Sequence, residues 1–124
     1  MKSRYFDRAL QIYPQYHSVH FYKAIAESNL DDFLSYEQSL VKAMASVETL
    51  HFAVMYFSSY WKKVFASSMD LAADRKRFIS LIHDIKTTID GKVIEWNKNL
   101  DGSLQQGSEL YIAQILSEVK LPSV

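Results

Sequence analysis

Glu48 and His51 are three residues apart in a stretch with helical periodicity, so their side chains would lie on one face of a helix. Helical bundles hold di-iron centres with this Glu-x-x-His spacing, because the carboxylate and the imidazole can then ligate the same metal ion. Such a centre also needs a second pair of this kind and two more carboxylates, whereas the later helix offers only His83 beside Asp84. We therefore expect no metal at Glu48 and His51, and the sequence predicts no cofactor.

Arg77 and His83 are a second candidate for chemistry, with five residues between them. An imidazole can act as general base on a ribose hydroxyl while a guanidinium neutralises the phosphate. This spacing, together with the string LIHD at 81–84, resembles the Arg and His motif of HEPN-type helical ribonucleases. The resemblance implies RNA cleavage by Arg77 and His83, although an apolar residue, Phe78, follows the arginine here. The alternative is structural, with His83 beside the apolar seam of its helix and Arg77 in solvent.

Composition excludes several other kinds of site. The chain has no cysteine, so disulfides, thiol catalysis and cysteine-based zinc sites are excluded. Its three glycines, at positions 91, 102 and 107, cannot form a phosphate-binding loop. Fourteen acidic residues balance fourteen basic ones, which leaves no long-range attraction to nucleic acid or anionic membranes. The basic run 75–77, with Lys62 and Lys63 at the same bundle end, is interpreted as a solvated helix start, so we expect no nucleic-acid partner.

The element that must position these residues is an apolar heptad repeat over 31–66. Two series of residues recur at every seventh position, and the stretch contains no Gly or Pro. The first series is Phe33, Leu40, Val47, Val54 and Trp61, and the second is Tyr36, Ala43, Leu50, Phe57 and Val64. The repeat predicts one continuous helix over 31–66.

A second long helix is predicted over 69–99, where apolar residues follow a spacing of three and four. Residues 67–70 provide its start, with the two serine hydroxyls as caps and Asp70 in the first turn. The apolar stripe keeps its phase through Gly91, where a helical glycine costs about 1 kcal/mol relative to alanine. We predict a single helix, and two helices divided at Gly91 are the alternative.

Shorter helices are predicted at both ends. At the N-terminal end, helical spacing occurs over 3–13 and again to about residue 28, and a turn follows at 28–31. At the C-terminal end, Ser103 with Gln106 suits a capping box for a last helix that ends at Pro122. An apolar content of 48% with 23% charged residues is typical of a folded domain. The fold prediction is therefore all-α with a single domain over 1–124. It is either a four-helix up-down bundle or a long helical hairpin with flanking terminal helices.

The aromatic segment 50–61 is the strongest indication of binding. Beside the heptad seam it carries a second stripe made of Phe52, Met55, Tyr56 and Tyr60. Tyrosine is common at interfaces because it combines apolar area with a polar tip. We predict that this stripe is a partner-binding surface and that Trp61 and Trp96 lie in the core.

Two further resemblances point to non-enzymatic helical proteins. The run FYKAIAESNLDDF at 21–33 resembles the start of phasins, which coat polyhydroxyalkanoate granules, and implies a surface coat. The length and the helix order are similar to those of FliT-type flagellar export chaperones, small helical bundles that hold a secretion substrate in the cytoplasm. Those chaperones have a break between their second and third helices, and no residue near position 52 would produce one here.

The leading hypothesis is a non-enzymatic protein-binding module, such as a chaperone, an adaptor or a small regulator, that acts through the aromatic-rich helix. Its partner would be another protein or a second copy of the chain in a homodimer. A HEPN-like ribonuclease using Arg77 and His83 and a granule- or lipid-surface coat of phasin type are the two alternatives. The two longest segments without a formal charge, 9–22 and 49–61, are both too short to span a bilayer, and the N-terminus lacks a secretory pattern. We expect no transmembrane segment and a cytoplasmic location.

Overall fold

The computed structural model describes residues 23–24, 33–98 and 107–122. These residues form four helices, which we number α1 (Phe33–Ala43), α2 (Val47–Ala66), α3 (Leu71–Lys98) and α4 (Ser108–Val119). No strand occurs in the part of the chain that is described, and the all-α prediction is confirmed. The predicted helices over 3–28 lie outside the described residues, apart from the helical pair 23–24. The turn at 28–31 and the capping box at Ser103 and Gln106 also lie outside them.

The single helix predicted over 31–66 is wrong, because the chain breaks at 44–46 between α1 and α2. The backbone N–H groups of residues 44–46 donate to carbonyls three residues earlier, at 3.1, 3.1 and 3.5 Å. This tighter pattern ends α1 in a short turn. The carbonyl of Ser46 then accepts the N–H groups of Thr49 and Leu50 at 3.2 and 2.9 Å, and these bonds begin α2.

Thr49 completes this junction from within the protein. Its hydroxyl donates to the carbonyl of Ala43 at 2.6 Å, and the Thr49 side chain is buried. The N–H of Ser46 reaches the same carbonyl only at 3.5 Å, so the threonine supplies its short hydrogen bond. A buried carbonyl that loses its partner costs about 1–3 kcal/mol, which makes Thr49 the side chain that stabilises the break.

The heptad repeat continues through the break because the turn itself is apolar. Ala43, Met44 and Ala45 are all buried. The exposed members of the repeat include Phe33 and Val47, which are the first residues of α1 and α2. A repeat of apolar side chains indicates which residues are buried, and a buried turn produces that pattern as well as a helix does.

The junction between α2 and α3 is at 67–70, where a helix start was predicted. Asp70 is the cap: its Oδ1 atom accepts the N–H of Ala73 at 3.2 Å, and its carbonyl accepts the N–H of Asp74 at 3.0 Å. The prediction gave the capping role to the serine hydroxyls, which do something else. Ser67 donates to the Lys63 carbonyl at 3.0 Å, and Ser68 donates to the Asp74 carboxylate at 2.6 Å.

Helix α3 runs without interruption through Gly91, so the single-helix prediction is confirmed. A Cβ atom at position 91 would meet no atom within 4 Å, so no neighbouring element among the described residues requires glycine there.

The chain divides into two compact units, Met1–Ala53 and Val54–Val124, with the boundary inside α2. Among the described residues of the first unit, Tyr36, Leu40, Met44 and Leu50 are buried. In the second unit the largest buried side chains are Phe57, Trp61, Phe78, Ile85, Ile89 and Ile115. The prediction of one domain over 1–124 stays a prediction.

Four aromatic rings join α2 to α3 within the second unit. Phe57, Trp61, Phe65 and Phe78 pack with ring centroids between 5.2 and 6.3 Å apart, the usual range for paired aromatic side chains. Trp61 is fully buried, as predicted, whereas Trp96 is half-buried. With a connection of only four residues, α2 and α3 form a helical hairpin around this cluster.

Helix α4 packs against α3 and takes its N-terminal cap from it. The N-cap residue, Gly107, has no side chain to accept a hydrogen bond, and the Oδ1 atom of Asp90 accepts the N–H of Ser108 at 3.1 Å instead. The other end of α4 is closed by Lys120 in the left-handed conformation, with φ 53°, its N–H donating to the Leu116 carbonyl at 3.0 Å.

Candidate functional site

One side of α2 carries a row of large apolar and aromatic side chains that are exposed or half-buried. We call this surface the outer α2 face, and it consists of Phe52, Met55, Tyr56 and Tyr60. Phe52, Met55 and Tyr56 are 52%, 49% and 45% exposed, and Tyr60 is half-buried. Their spacing of three and four places them on one side of the helix. The opposite side of α2 is buried, so the helix holds these side chains in a fixed orientation.

Two members of the outer α2 face contact neighbouring rings on the same helix. Phe52 meets the ring of His51 edge-on at 6.0 Å, and Tyr60 meets Trp61 edge-on at 5.5 Å. Tyr60 is therefore anchored to the core through Trp61, whereas half of each of Phe52, Met55 and Tyr56 remains available for contact.

Other large apolar side chains are also exposed, but they are scattered. Ile79 and Ile94 lie about four turns apart on α3, and Leu110 and Leu116 lie on α4. The others lie at the start of α1, at the start of α2 and in the α2–α3 junction: Phe33, Leu34, Val47 and Met69. Single exposed apolar residues are ordinary on protein surfaces, whereas a contiguous row indicates a binding surface. This contrast distinguishes the outer α2 face from the rest of the described surface.

Arg77 and His83 are not brought together. The guanidinium carbon of Arg77 lies 4.9 Å from the centroid of the Trp61 ring, a cation–π contact, and its Nη1 atom lies 3.6 Å from the Asp74 carboxylate. His83 is exposed on α3. At about 100° per residue, the two side chains leave the helix roughly 120° apart. Arg77 has a packing role against the aromatic cluster, instead of the fully solvated position expected for it.

Glu48 and His51 are both exposed on the first turns of α2. Within residues 23–24, 33–98 and 107–122, no group of three or more His, Cys, Asp or Glu side chains could hold a metal ion. Glu48 has a simpler role available, because a negative charge in the first turn interacts favourably with the helix dipole.

The three consecutive basic residues of α3 do not form one patch. Arg75 and Lys76 line a shallow groove on α3 with Ala72 and Ile79. Arg77 turns away toward Trp61 and Asp74. A phosphate-binding surface built from all three side chains is therefore not present.

A cleft between the second half of α2 and α4, the α2–α4 cleft, was not anticipated from the sequence. It has a volume of about 430 Å³ and is lined by Met55, Ser58, Ser59, Lys62, Lys63, Gln114 and Glu118. The Nζ atom of Lys62 lies 3.6 Å from Glu118 Oε2 across it. The sequence did contain one indication, since Ser58 and Ser59 are small polar residues in an otherwise apolar segment, one turn before Lys62.

The pKa of the Asp90 carboxyl is clearly lowered from its ordinary value. The Ser108 hydroxyl lowers the pKa most, followed by the Ser108 N–H and by Lys86, whose Nζ lies 3.2 Å from Asp90 Oδ2. These groups all favour the charged carboxylate, and partial desolvation opposes them only in part. The shift reflects the capping role of Asp90 and not a catalytic one.

Comparison with known protein families, characterised proteins and solved structures finds no match for this chain. The resemblances to HEPN-type ribonucleases, phasins and FliT-type chaperones therefore rest on the quoted residues alone. In the parts of the chain that the structure describes, no helix combines the length and the apolar character needed to cross a bilayer.

Proposed function

We propose that this protein is a non-enzymatic binding module that contacts a helical protein partner, or a second copy of itself, through the outer α2 face. The observation that carries the proposal is the row of three half-exposed side chains, Phe52, Met55 and Tyr56, on one side of a helix whose other side is buried. A spacing of three and four residues is the pattern by which one helix recognises another.

The size of the row indicates how much of an interface it can form. Three large side chains, each about half exposed, offer roughly 300 Å² for burial, since a fully buried aromatic covers about 150–250 Å². At about 25 cal/mol per Å², this burial contributes about 7 kcal/mol. Association itself costs about 4–15 kcal/mol. The outer α2 face is therefore the centre of a larger interface and not the whole of it.

The first test is whether the row mediates association at all. Light scattering at low and high concentration measures self-association, and a photo-crosslinking side chain at Tyr56 captures a heterologous partner for identification. A matched crosslinker at Ile94 controls for non-specific crosslinking, because Ile94 is also an exposed apolar residue.

The second test removes the surface. The double variant Met55→Ser/Tyr56→Ser should abolish the association, and the matched control Ile79→Ser/Ile94→Ser on α3 should preserve it. Equal behaviour of the two double variants would contradict the proposal, and so would a Tyr56 crosslink no more specific than the Ile94 crosslink. Circular dichroism of each variant checks that the helices are intact.

The two alternative functions lack an observation of their own. The nuclease hypothesis requires Arg77 and His83 to contact the same substrate, but their side chains leave α3 on different sides.

The coat hypothesis is tested in the same experiment by adding anionic and neutral vesicles. Flotation of the parent with both types of vesicle, lost in Met55→Ser/Tyr56→Ser, would favour a lipid surface over a protein partner.

A further inference from the structure

The α2–α4 cleft has the volume of a small-ligand site. Its volume of about 430 Å³ lies within the range of about 300–1,000 Å³ that is usual for such sites. Both walls belong to the second unit, Val54–Val124, and they are joined by the ion pair between Lys62 and Glu118. One side chain of the lining, Met55, is apolar and the other six are polar or charged, so a ligand would be held mainly by polar contacts.

The charged side chains of the cleft indicate which net charge a ligand should carry. Two ammonium groups and one carboxylate line it, which leaves a formal charge of +1. Glu118 lies 3.6 Å from Lys62, whereas no ion pair forms at Lys63 within the described residues. A ligand with one negative charge therefore matches the cleft, and a second negative charge would be repelled by Glu118.

Ser58 provides the independent observation that points to a ligand. Its side chain lines the cleft and is only 5% exposed, and its buried hydroxyl has no hydrogen-bond partner among the described residues. A buried polar group without a partner costs about 1–3 kcal/mol, so this hydroxyl calls for a partner from outside the described residues. An oxygen of a bound ligand can supply the missing partner at this position.

We infer that the α2–α4 cleft binds a small monocarboxylate with a short apolar tail. The carboxylate is held by the Lys63 ammonium and the Ser58 hydroxyl, and Gln114 on α4 offers a further amide donor. The tail lies against Met55. This site is separate from the partner contact proposed above, although Met55 borders both surfaces.

The test is a titration of the full chain followed by amide NMR at constant ionic strength. Acetate, butyrate and hexanoate are added in separate arms, with inorganic phosphate as a further arm. We expect saturable shifts at Ser58, Ser59 and Gln114, with affinity rising about threefold to fourfold for each buried methylene of the tail. Phosphate should bind more weakly than butyrate.

Variants separate a built site from general attraction of anions to lysine. Lys63→Gln should weaken butyrate binding about tenfold, the usual effect of losing one charge-assisted hydrogen bond. Ser58→Ala should weaken it by a smaller factor. Lys76→Gln is the matched control, because Lys76 is an exposed lysine of α3 outside the cleft, and it should bind butyrate like the parent.

Three results would overturn the inference. They are the absence of saturable shifts at the cleft residues with any carboxylate, equal binding by Lys63→Gln and the parent, and tighter binding of phosphate than of hexanoate. Because binding is measured on the chain itself, none of these results depends on whether a protein partner exists.

Discussion

The helices of this protein are joined at two junctions that use opposite chemistry. The α1–α2 junction at 44–46 contains two buried apolar residues, Met44 and Ala45, and Met44 is 0% exposed. The α2–α3 junction at 67–70 is built from polar residues, and its methionine, Met69, is 100% exposed. The first is stabilised by one buried hydroxyl, that of Thr49, and the second by the carboxylates of exposed Asp70 and half-buried Asp74.

The difference shows how the surroundings decide what a turn requires. Water can satisfy backbone groups at the α2–α3 junction, so its side chains mainly select where the helix starts. At the α1–α2 junction Met44, Ala45 and Thr49 are buried, so the backbone groups beside them need partners inside the protein. We therefore expect substitutions at the α1–α2 junction to cost more free energy of unfolding than the corresponding substitutions at the α2–α3 junction.

The largest difference should come from the two methionines. Met44→Ala should lower the free energy of unfolding by about 2–5 kcal/mol, because it removes buried contacts and leaves a cavity. Met69→Ala should change it by less than about 0.5 kcal/mol, because the side chain is in solvent. Urea unfolding of both variants measures this, and similar losses would refute the contrast between the junctions.

The next largest effect should come from the threonine hydroxyl. Thr49→Val should cost about 2 kcal/mol, because the buried Ala43 carbonyl loses its short hydrogen bond. Thr87→Val is the control, since the Thr87 hydroxyl donates to the His83 carbonyl at 3.1 Å on an exposed face. That variant should stay within about 0.5 kcal/mol of the parent. If Thr49→Val lowers the free energy of unfolding no more than Thr87→Val does, the Thr49 hydroxyl does not stabilise the break between α1 and α2.

A smaller effect is expected at the cap of α3. Asp70→Ala should cost about 1 kcal/mol, because the Ala73 N–H loses its acceptor. Hydrogen exchange should become faster in the first turn of α3 and not near its centre. Asp84→Ala, an exposed position in the middle of the same helix, should have little effect on either measurement. Uniform exchange along α3 in Asp70→Ala would show that the cap is not local.

The smallest effect concerns the cap of α4 and depends on pH. The pKa of Asp90 is below its ordinary value of 3.8, so the charged form stabilises the fold above about pH 4, and this contribution is lost as the pH falls through the lowered pKa. Asp90→Asn keeps an acceptor for Ser108 and removes the charge. The parent should be more stable than the variant near neutral pH, and the difference should shrink in acid. A difference that grows in acid would reverse the assigned sign.

The parts of the fold that could be predicted from the sequence are those marked by a local pattern. The start of α3 follows from the polar segment at 67–70, and its continuity through Gly91 follows from an apolar stripe that keeps its phase there. The break at 44–46 could not be predicted from the heptad, because buried residues fill the turn and preserve the repeat. The sequence Ser46-Val47-Glu48 is typical of a helix start, with a serine before a glutamate in the first turn, and it is local evidence against a continuous helix.

The two candidate sites, the outer α2 face and the α2–α4 cleft, also differ in whether a local sequence pattern could indicate them. The exposure of Phe52, Met55 and Tyr56 follows from the second stripe on α2, which local spacing can show. The α2–α4 cleft depends on Lys62 meeting Glu118, and no local pattern indicates which residues of two distant helices will face each other. The role of Arg77 was missed for the same reason, since it depends on the packing of Trp61 against α3.

The cap that α3 provides for α4 also bears on how the last helix forms. Helix α4 has twelve residues, a length at which an isolated helix is marginal in water. The acceptor for its first N–H is a carboxylate eighteen positions earlier in the chain. Formation of α4 is therefore coupled to the presence of folded α3, so a peptide covering 107–124 alone should be largely unstructured. The end of this chain acquires its helix cooperatively, with α3 as the template.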